Sequence, residues 1–160
     1  MTMLFTLAKP FLHRMDAERA HDLTIQALKH FPPPRKNAGD TNLNVTLWGM
    51  NFENPIGLAA GFDKNGEVPD AMLGLGFGFV ECGTVTPLAQ KGNPQPRLFR
   101  LPSDEAVINR FGFNNAGYDA VLQNLKSRNP DHGIVGVNVG ANKDSTDRIT
   151  DYVKGIRAFA

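Results

Sequence analysis

NPIGLAAGFDKNGE, Asn54 to Glu67, is the stretch that decides how the rest of the chain is read. Ile56 to Ala60 are apolar or small, which predicts a short buried strand. The residues that follow form a glycine-bearing loop ending on a single lysine, Lys64. Gly57 and Gly61 let backbone amides come close to a flat or phosphorylated ligand. Lys64 then falls at the C-terminal end of the strand, where parallel α/β folds place their chemistry. A cation there suits an anionic substrate, or a cofactor that gains negative charge. The plain alternative is an ordinary βα turn with a solvated lysine.

Downstream the grammar stays strand–loop–helix. A helix is expected over Glu67 to Leu75 with Gly76 as its C-terminal stop, then a strand over Phe77 to Cys82. Thr84 to Pro96 is a loop rich in Pro and Gly, followed by short strands over Leu98 to Leu101 and Ala106 to Arg110. Ala116 to Ser127 predicts a helix with Val121, Leu122 and Leu125 inward. Ile134 to Val139 is apolar apart from Asn138, as expected of a parallel strand covered on both faces. Arg148 to Ala158 closes the series as a helix. Such βα units predict a (β/α)8 barrel or an open parallel sheet. A closed barrel needs about 250 residues, so 160 residues supply only its first part. An apolar strand edge left after Val139 predicts that the chain alone aggregates or dimerises.

Upstream, Met1 to Phe31 predicts two short helices. The first has Leu4, Leu7 and Phe11 at helical spacing with Pro10 near its end, and the second has Asp16 as N-cap and Ala20, Leu23, Ala27 and Leu28 on one face. Pro32 to Pro34 stop the second helix, and Pro32 to Asp40 is a linker by composition. Leu43 to Phe52 alternates and turns at Gly49, which predicts a small hairpin. The chain therefore divides into residues 1–40, a helical extension with linker, and residues 41–160, the barrel part.

Bulk composition narrows the function. Lys plus Arg exceed Asp plus Glu by one, 17 against 16, which leaves no basic excess for a nucleic-acid-binding face. Cys82 is the only cysteine, so neither a disulfide framework nor a multi-cysteine metal site exists, and its apolar surroundings predict a small buried residue. No run approaches the roughly 20 apolar residues of a membrane span. No paired-carboxylate or HxxxH pattern points to glycosidase or metal chemistry.

Four polar clusters fall where strands should end: Asp63 with Lys64, Thr84 with Thr86, the run NRFGFNNAG from Asn109 to Gly117, and Asn138. An unpartnered amide inside an apolar strand costs on the order of 1–3 kcal/mol. Asn138 is therefore either a satisfied structural amide or one presented to a ligand. Asn109, Asn114 and Asn115 each donate and accept, which matches a ligand edge of alternating N–H and C=O groups such as a pyrimidine. Phe111 and Phe113 flank Gly112 and either wall that site or pack as core.

Five motifs, GLAAGFDKNGE, GFGFVECGTVTP, GNPQPRLFRLP, INRFGFNNAG and VGVNVGANK, occur in this order and cover most of the chain. Together they resemble the class 2 dihydroorotate dehydrogenases, quinone-dependent flavin enzymes of pyrimidine synthesis built on a β/α barrel. Class 1 enzymes lack the N-terminal helices, so Met1 to Phe31 favours class 2. The resemblance implies oxidation of dihydroorotate to orotate with FMN as carrier and a quinone as electron acceptor. It implies that Ala60, Gly61, Phe62, Asp63, Lys64, Thr84 and Asn138 line the FMN, and that Lys64 with Asn109, Arg110, Phe111, Gly112 and Phe113 holds the pyrimidine. His21 and Arg100 match positions that face the quinone. The helix pair then lies at a membrane surface, and the expected location is the cytoplasmic face of a bacterial membrane, held peripherally. The family's catalytic base is a serine on a later strand, so no catalytic residue is assigned here, and the 160 residues alone are expected to be inactive. One departure stands out: Gly140-Ala141-Asn142 replaces the family's usual Gly-Lys-Asn, which removes a charge from that loop but does not touch Asn138. The alternatives are another flavin barrel acting on a related substrate, or a non-catalytic half-barrel serving in binding or assembly.

Overall fold

The structure, a computed structural model, describes residues 3–34 and 41–160, with residues 3–6 and 8 described by their backbone alone. Helices α1 (Met3–Arg14) and α2 (Ala17–His30) lead, joined at Asp16, whose carboxylate accepts from the Arg19 amide at 3.0 Å as an N-cap. The linker expected over Pro32 to Asp40 lies partly outside the described residues. β1 (Val45–Leu47) and β2 (Met50–Phe52) form the expected hairpin, turned at Trp48 and Gly49, both at positive φ as a two-residue loop requires.

The central sheet is parallel, in the order β3 (Gly57–Leu58), β4 (Phe79–Val85), β7 (Ile134–Val139). Helix α3 (Pro69–Gly74) connects β3 to β4. The long return from β4 to β7 holds an antiparallel pair, β5 (Leu98–Leu101) with β6 (Ala106–Asn109), and then α4 (Tyr118–Lys126). Helix α5 (Arg148–Phe159) follows β7 and is capped by Asp147, which accepts from the Thr150 amide at 3.0 Å.

One cluster of buried side chains joins Ile25 of α2 to Val68, Ala71 and Met72 around α3 and to Val80 and Cys82 of β4. A second joins Val85, Tyr118 and Val121. Ile25 thus roots the helical extension in the same core as the sheet. Cys82 is buried as expected, and burial pushes its thiol well above the ordinary range, leaving it an inert packing group.

Several expectations shift. The inward face of α2 is Ala20, Ile25 and Leu28; Leu23 and Ala27, four residues apart, share a second stripe that is exposed. Leu7 and Phe11 of α1 are exposed too. β3 is two residues long rather than five, because only Gly57 and Leu58 pair with β4. β4 starts later than predicted and runs to Val85, since β7 pairs with it along its whole length. The helix expected from Glu67 begins at Pro69, because the amides of Glu67 and Val68 are taken by the Asp63 carboxylate in the turn before it. β7 matches its predicted bounds but is only half-buried.

Candidate active site

The loop after β3 is wired to β4. The Gly61 amide donates to the Gly83 carbonyl at 2.8 Å, and the Gly83 amide donates to the Asp63 carbonyl at 2.9 Å. Asp63 is 1% exposed; its two carboxylate oxygens accept from the amides of Glu67 at 2.9 Å and Val68 at 2.8 Å. This aspartate therefore shapes the loop by turning its side chain inward, and whatever it offers a ligand comes from its backbone. Asn65 carries the wiring further: its side-chain oxygen accepts from the Ala116 amide at 2.9 Å and its carbonyl accepts from Asn124 at 2.9 Å. Between these anchored neighbours, Lys64 places its Nζ 4.2 Å from the centre of the Phe111 ring. Burial pulls the Lys64 pKa below its ordinary value, and the carboxylates of Asp22, Glu18 and Asp63 oppose that fall.

At the C-terminal ends of the three parallel strands the expected residues form one row. Gly83 is the register partner of Asn138, and Gly61 bonds to Gly83 from the other side. A bulge in β4 between Gly83 and Val85 frees Thr84, whose Oγ1 donates to the Asn138 side-chain oxygen at 2.6 Å. The Asn138 amide nitrogen donates to Glu81 at 2.9 Å. Asn138 is thus oriented from both ends and still keeps one N–H and one lone pair. Gly61 has φ +115°, and a Cβ there would meet open space. The row is therefore an open backbone ledge beside an oriented hydroxyl and amide, which suits a planar ligand that both donates and accepts.

The run from Asn109 to Phe113 is held from behind through its backbone. The Arg110 amide donates to the Arg97 carbonyl at 2.9 Å, and the carbonyls of Arg110 and Phe111 accept from Asn93 at 2.7 and 2.9 Å. Gln90 donates to the Gly112 carbonyl at 2.9 Å. Gly112 and Phe113 both adopt positive φ, which folds the run back toward Gln90. Asn109 and Phe113 are left exposed. The Arg110 guanidinium bonds the Pro96 carbonyl at 3.0 Å and is exposed.

Asn115 departs from expectation. Its oxygen accepts from the amides of Thr86 and Gly117, and its nitrogen donates to the Thr86 hydroxyl and the Phe113 carbonyl. All four bonding positions are filled, so it serves as a structural staple rather than a ligand-reading amide. Thr86 is fully buried in the same staple, donating to the Leu88 carbonyl at 2.7 Å. Asn114, by contrast, keeps a buried oxygen without a partner.

A cavity of about 720 Å³ opens between α2 and these loops, with His21, Phe62, Lys64, Lys91, Arg97 and Asn114 among its walls. Ala60, Gly61, Thr84 and Asn138 lie outside it, along the strand ends. His21 packs edge-on against Phe62 and contacts its carbonyl at 2.8 Å; a carbonyl only accepts, so Nε2 carries the proton. Arg100 does not line this cavity. It donates to the carbonyls of Met15 at 2.7 Å and Leu12 at 3.2 Å, at the C-terminal end of α1. The sequence reading does not single out Arg97, the arginine that lines this cavity. It also passed over Glu18, Gln90 and Asn93; nothing in their local pattern marks them, because their partners are up to 79 residues away.

A family model described as dihydroorotate dehydrogenase matches residues 42–160. Among curated relatives, proteins named dihydroorotate dehydrogenase (quinone) are similar along nearly the whole chain. That of Erythrobacter litoralis is 56% identical over 158 residues, covering 99% of this chain and 46% of the relative. That of Rhodopseudomonas palustris (strain TIE-1) is 63% identical over 151 residues, covering 94% and 42%. Among solved structures, DHODH from Eimeria tenella in complex with ferulenol superposes with a TM-score of 0.81 at 43% identity, covering 89% of this chain and 40% of that one. Its ligand-free form gives 0.82 at 44% identity. The chain spans less than half the length of the curated relatives it matches.

Proposed function

The chain belongs to the dihydroorotate dehydrogenase family and its fold is the first part of a (β/α)8 barrel behind a two-helix extension and a hairpin, and from this premise we propose that it is the N-terminal portion of a quinone-dependent enzyme that oxidises (S)-dihydroorotate to orotate in pyrimidine biosynthesis. The observation that carries the reading is the seat of Lys64: a partly desolvated ammonium on the ring of Phe111, where the loop after β3 meets the NRFGF run.

The open ledge at Gly61 and the oriented pair Thr84–Asn138 fit a flavin edge, and the family points to FMN. Ala60, Gly61, Phe62, Asp63, Lys64, Thr84 and Asn138 would hold it, Asp63 through its backbone. When bound, FMN supplies the hydride acceptor and a route for the electrons to a quinone. The chain's own residues bind and orient. Asn109 to Phe113 present carboxamide and backbone groups to the pyrimidine, and Lys64 offsets the negative charge of the substrate carboxylate and of the reduced carrier. A hydride and a proton leave neighbouring carbons as the double bond forms. By the family resemblance, the base that takes the proton is a serine on a later strand of the barrel.

His21 and Arg100 are placed at the quinone by the same reading. Leu7, Phe11 and Leu23, exposed on the helix pair, give it an apolar outer face that can rest in a bilayer interface. Among the described residues, no helix is long and apolar enough to cross a membrane. We place the protein peripherally, on the cytoplasmic face of a bacterial membrane. The division between residues 40 and 41, at the end of the Pro-rich linker, is part of the same proposal, and a family match that begins at residue 42 supports it.

The test is anaerobic mixing of the full-length protein with dihydroorotate. Bleaching of bound flavin is expected, and Lys64→Ala should slow it by about 10²-fold or more, the scale of losing a preorganised charge. Bleaching at the parental rate in Lys64→Ala would overturn the assignment of this lysine, and no bleaching in the parent would overturn the activity.

A further inference from the structure

Helix α2 sends one carboxylate into the barrel. Glu18 is 8% exposed, and so is Arg97, in the turn before β5. Arg97 grips Glu18 with Nε at 3.0 and 3.1 Å and with Nη2 at 2.6 Å. Its remaining nitrogen, Nη1, donates to the carbonyls of Lys91 at 2.6 Å and Asn93 at 3.0 Å. The guanidinium therefore locks the turn from Lys91 to Arg97. That same turn holds the back of the NRFGF run, through Asn93 and the Arg97 carbonyl. The guanidinium carbon also stands 5.4 Å from the centre of the Phe111 ring, on which Lys64 rests.

A buried ion pair is a weak device for stability, because apolar residues of similar volume often replace one at no loss. It is a good device for holding a chosen geometry. We propose that Glu18 and Arg97 are a positioning pair: α2 grips Arg97, Arg97 seats Phe111 and the turn behind it, and Lys64 is held on that ring at a charge set partly by the helical extension. The role in turnover rests on the functional reading above; the effect on Lys64 does not.

The charged groups facing Lys64 are Asp22 and Glu18 from α2, Arg97 from the turn before β5 and Asp63 from its own loop; His21, Glu67 and Lys91 line the same cavity. Removing Glu18 and removing Arg97 must then act in opposite directions. Glu18→Gln strips an anion and leaves Arg97 unpaired, which makes the Lys64 amine easier to deprotonate. Arg97→Gln leaves an unpaired carboxylate, which makes it harder.

In the full-length protein, acylation of Lys64 by acetic anhydride near pH 8, followed by mass spectrometry of its peptide, reads this without substrate. A half-unit change in pKa alters the free amine about threefold. Glu18→Gln should acylate about threefold faster than the parent, Arg97→Gln about threefold slower, and the double variant close to the parent. Faster acylation in both single variants would mean simple loosening and would overturn the proposal, as would no change in either. A double variant that fails to return to the parental rate would overturn it as well. As the second readout, Glu18→Gln should slow flavin bleaching by dihydroorotate about tenfold and leave reoxidation by a quinone within about twofold. Opposite acylation shifts in a parent that shows no bleaching would sink the functional reading alone.

Discussion

The Lys64 loop and the NRFGF run meet at one aromatic ring, yet they are held in opposite ways. The Lys64 loop is fastened from within, by a fully buried aspartate that caps the amides just ahead of it and by backbone bonds to the adjacent strand. The NRFGF run is fastened from behind, by Gln90, Asn93 and Arg97, all on one excursion, and through Arg97 by helix α2. A loop closed on itself is part of the scaffold. A run held by side chains from elsewhere can be tuned, or lost, without unfolding the sheet.

Replacing Asp63 with Ala should have the largest effect, because one buried and one part-buried amide lose a charged acceptor. About 3–5 kcal/mol of stability should disappear, read as a lower denaturant midpoint in the full-length protein; a loss under about 1 kcal/mol would show that the loop is not fastened from within. Gln90→Ala should leave the midpoint nearly unchanged and raise the KM for dihydroorotate about tenfold, or about 1.4 kcal/mol. A shifted midpoint with an unchanged KM would merge the two regions into one scaffold.

A smaller effect concerns acid. The bonds from Arg97 hold the Glu18 carboxyl below the usual 4.5. The stability it adds is fully present above pH 4.5 and is lost as the pH falls through the lower value of the folded protein. Glu18→Gln should therefore flatten stability against pH in that window, and an unchanged acid transition would remove the charge from the account. Smallest of all, Arg110→Ala should cost under about 1 kcal/mol, since its guanidinium is exposed and its bonds end on one carbonyl. A larger loss, seen by thermal melting, would show that the run is also fastened from its own side chains.

What was legible in the sequence follows from range. β7 and α4 lie within a few residues of their predicted bounds and two helices lead as expected, because each is written in a local pattern of apolar spacing and caps. The bounds of β3 and β4 differ from the local pattern because pairing, not propensity, decides where those strands stop. The site divided in the same way. Lys64, Thr84 and Asn138 were visible as polar residues at strand ends. Asn115 looked like a reader of ligands and is a staple, since an amide's use depends on partners 29 residues away as much as on its neighbours.

The sequence by itself determined the alternating βα order, the glycine loop that ends on Lys64, and the helical extension, all of which need only nearby residues to specify them. Tertiary structure decided where the two arginines in RLFRLP go: Arg97 turns inward to Glu18 beside the cavity, and Arg100 turns to the end of α1. The physical reason is that a guanidinium goes where buried acceptors wait. Those acceptors lie 79 and 85 residues from their arginines, a distance that only the folded chain closes.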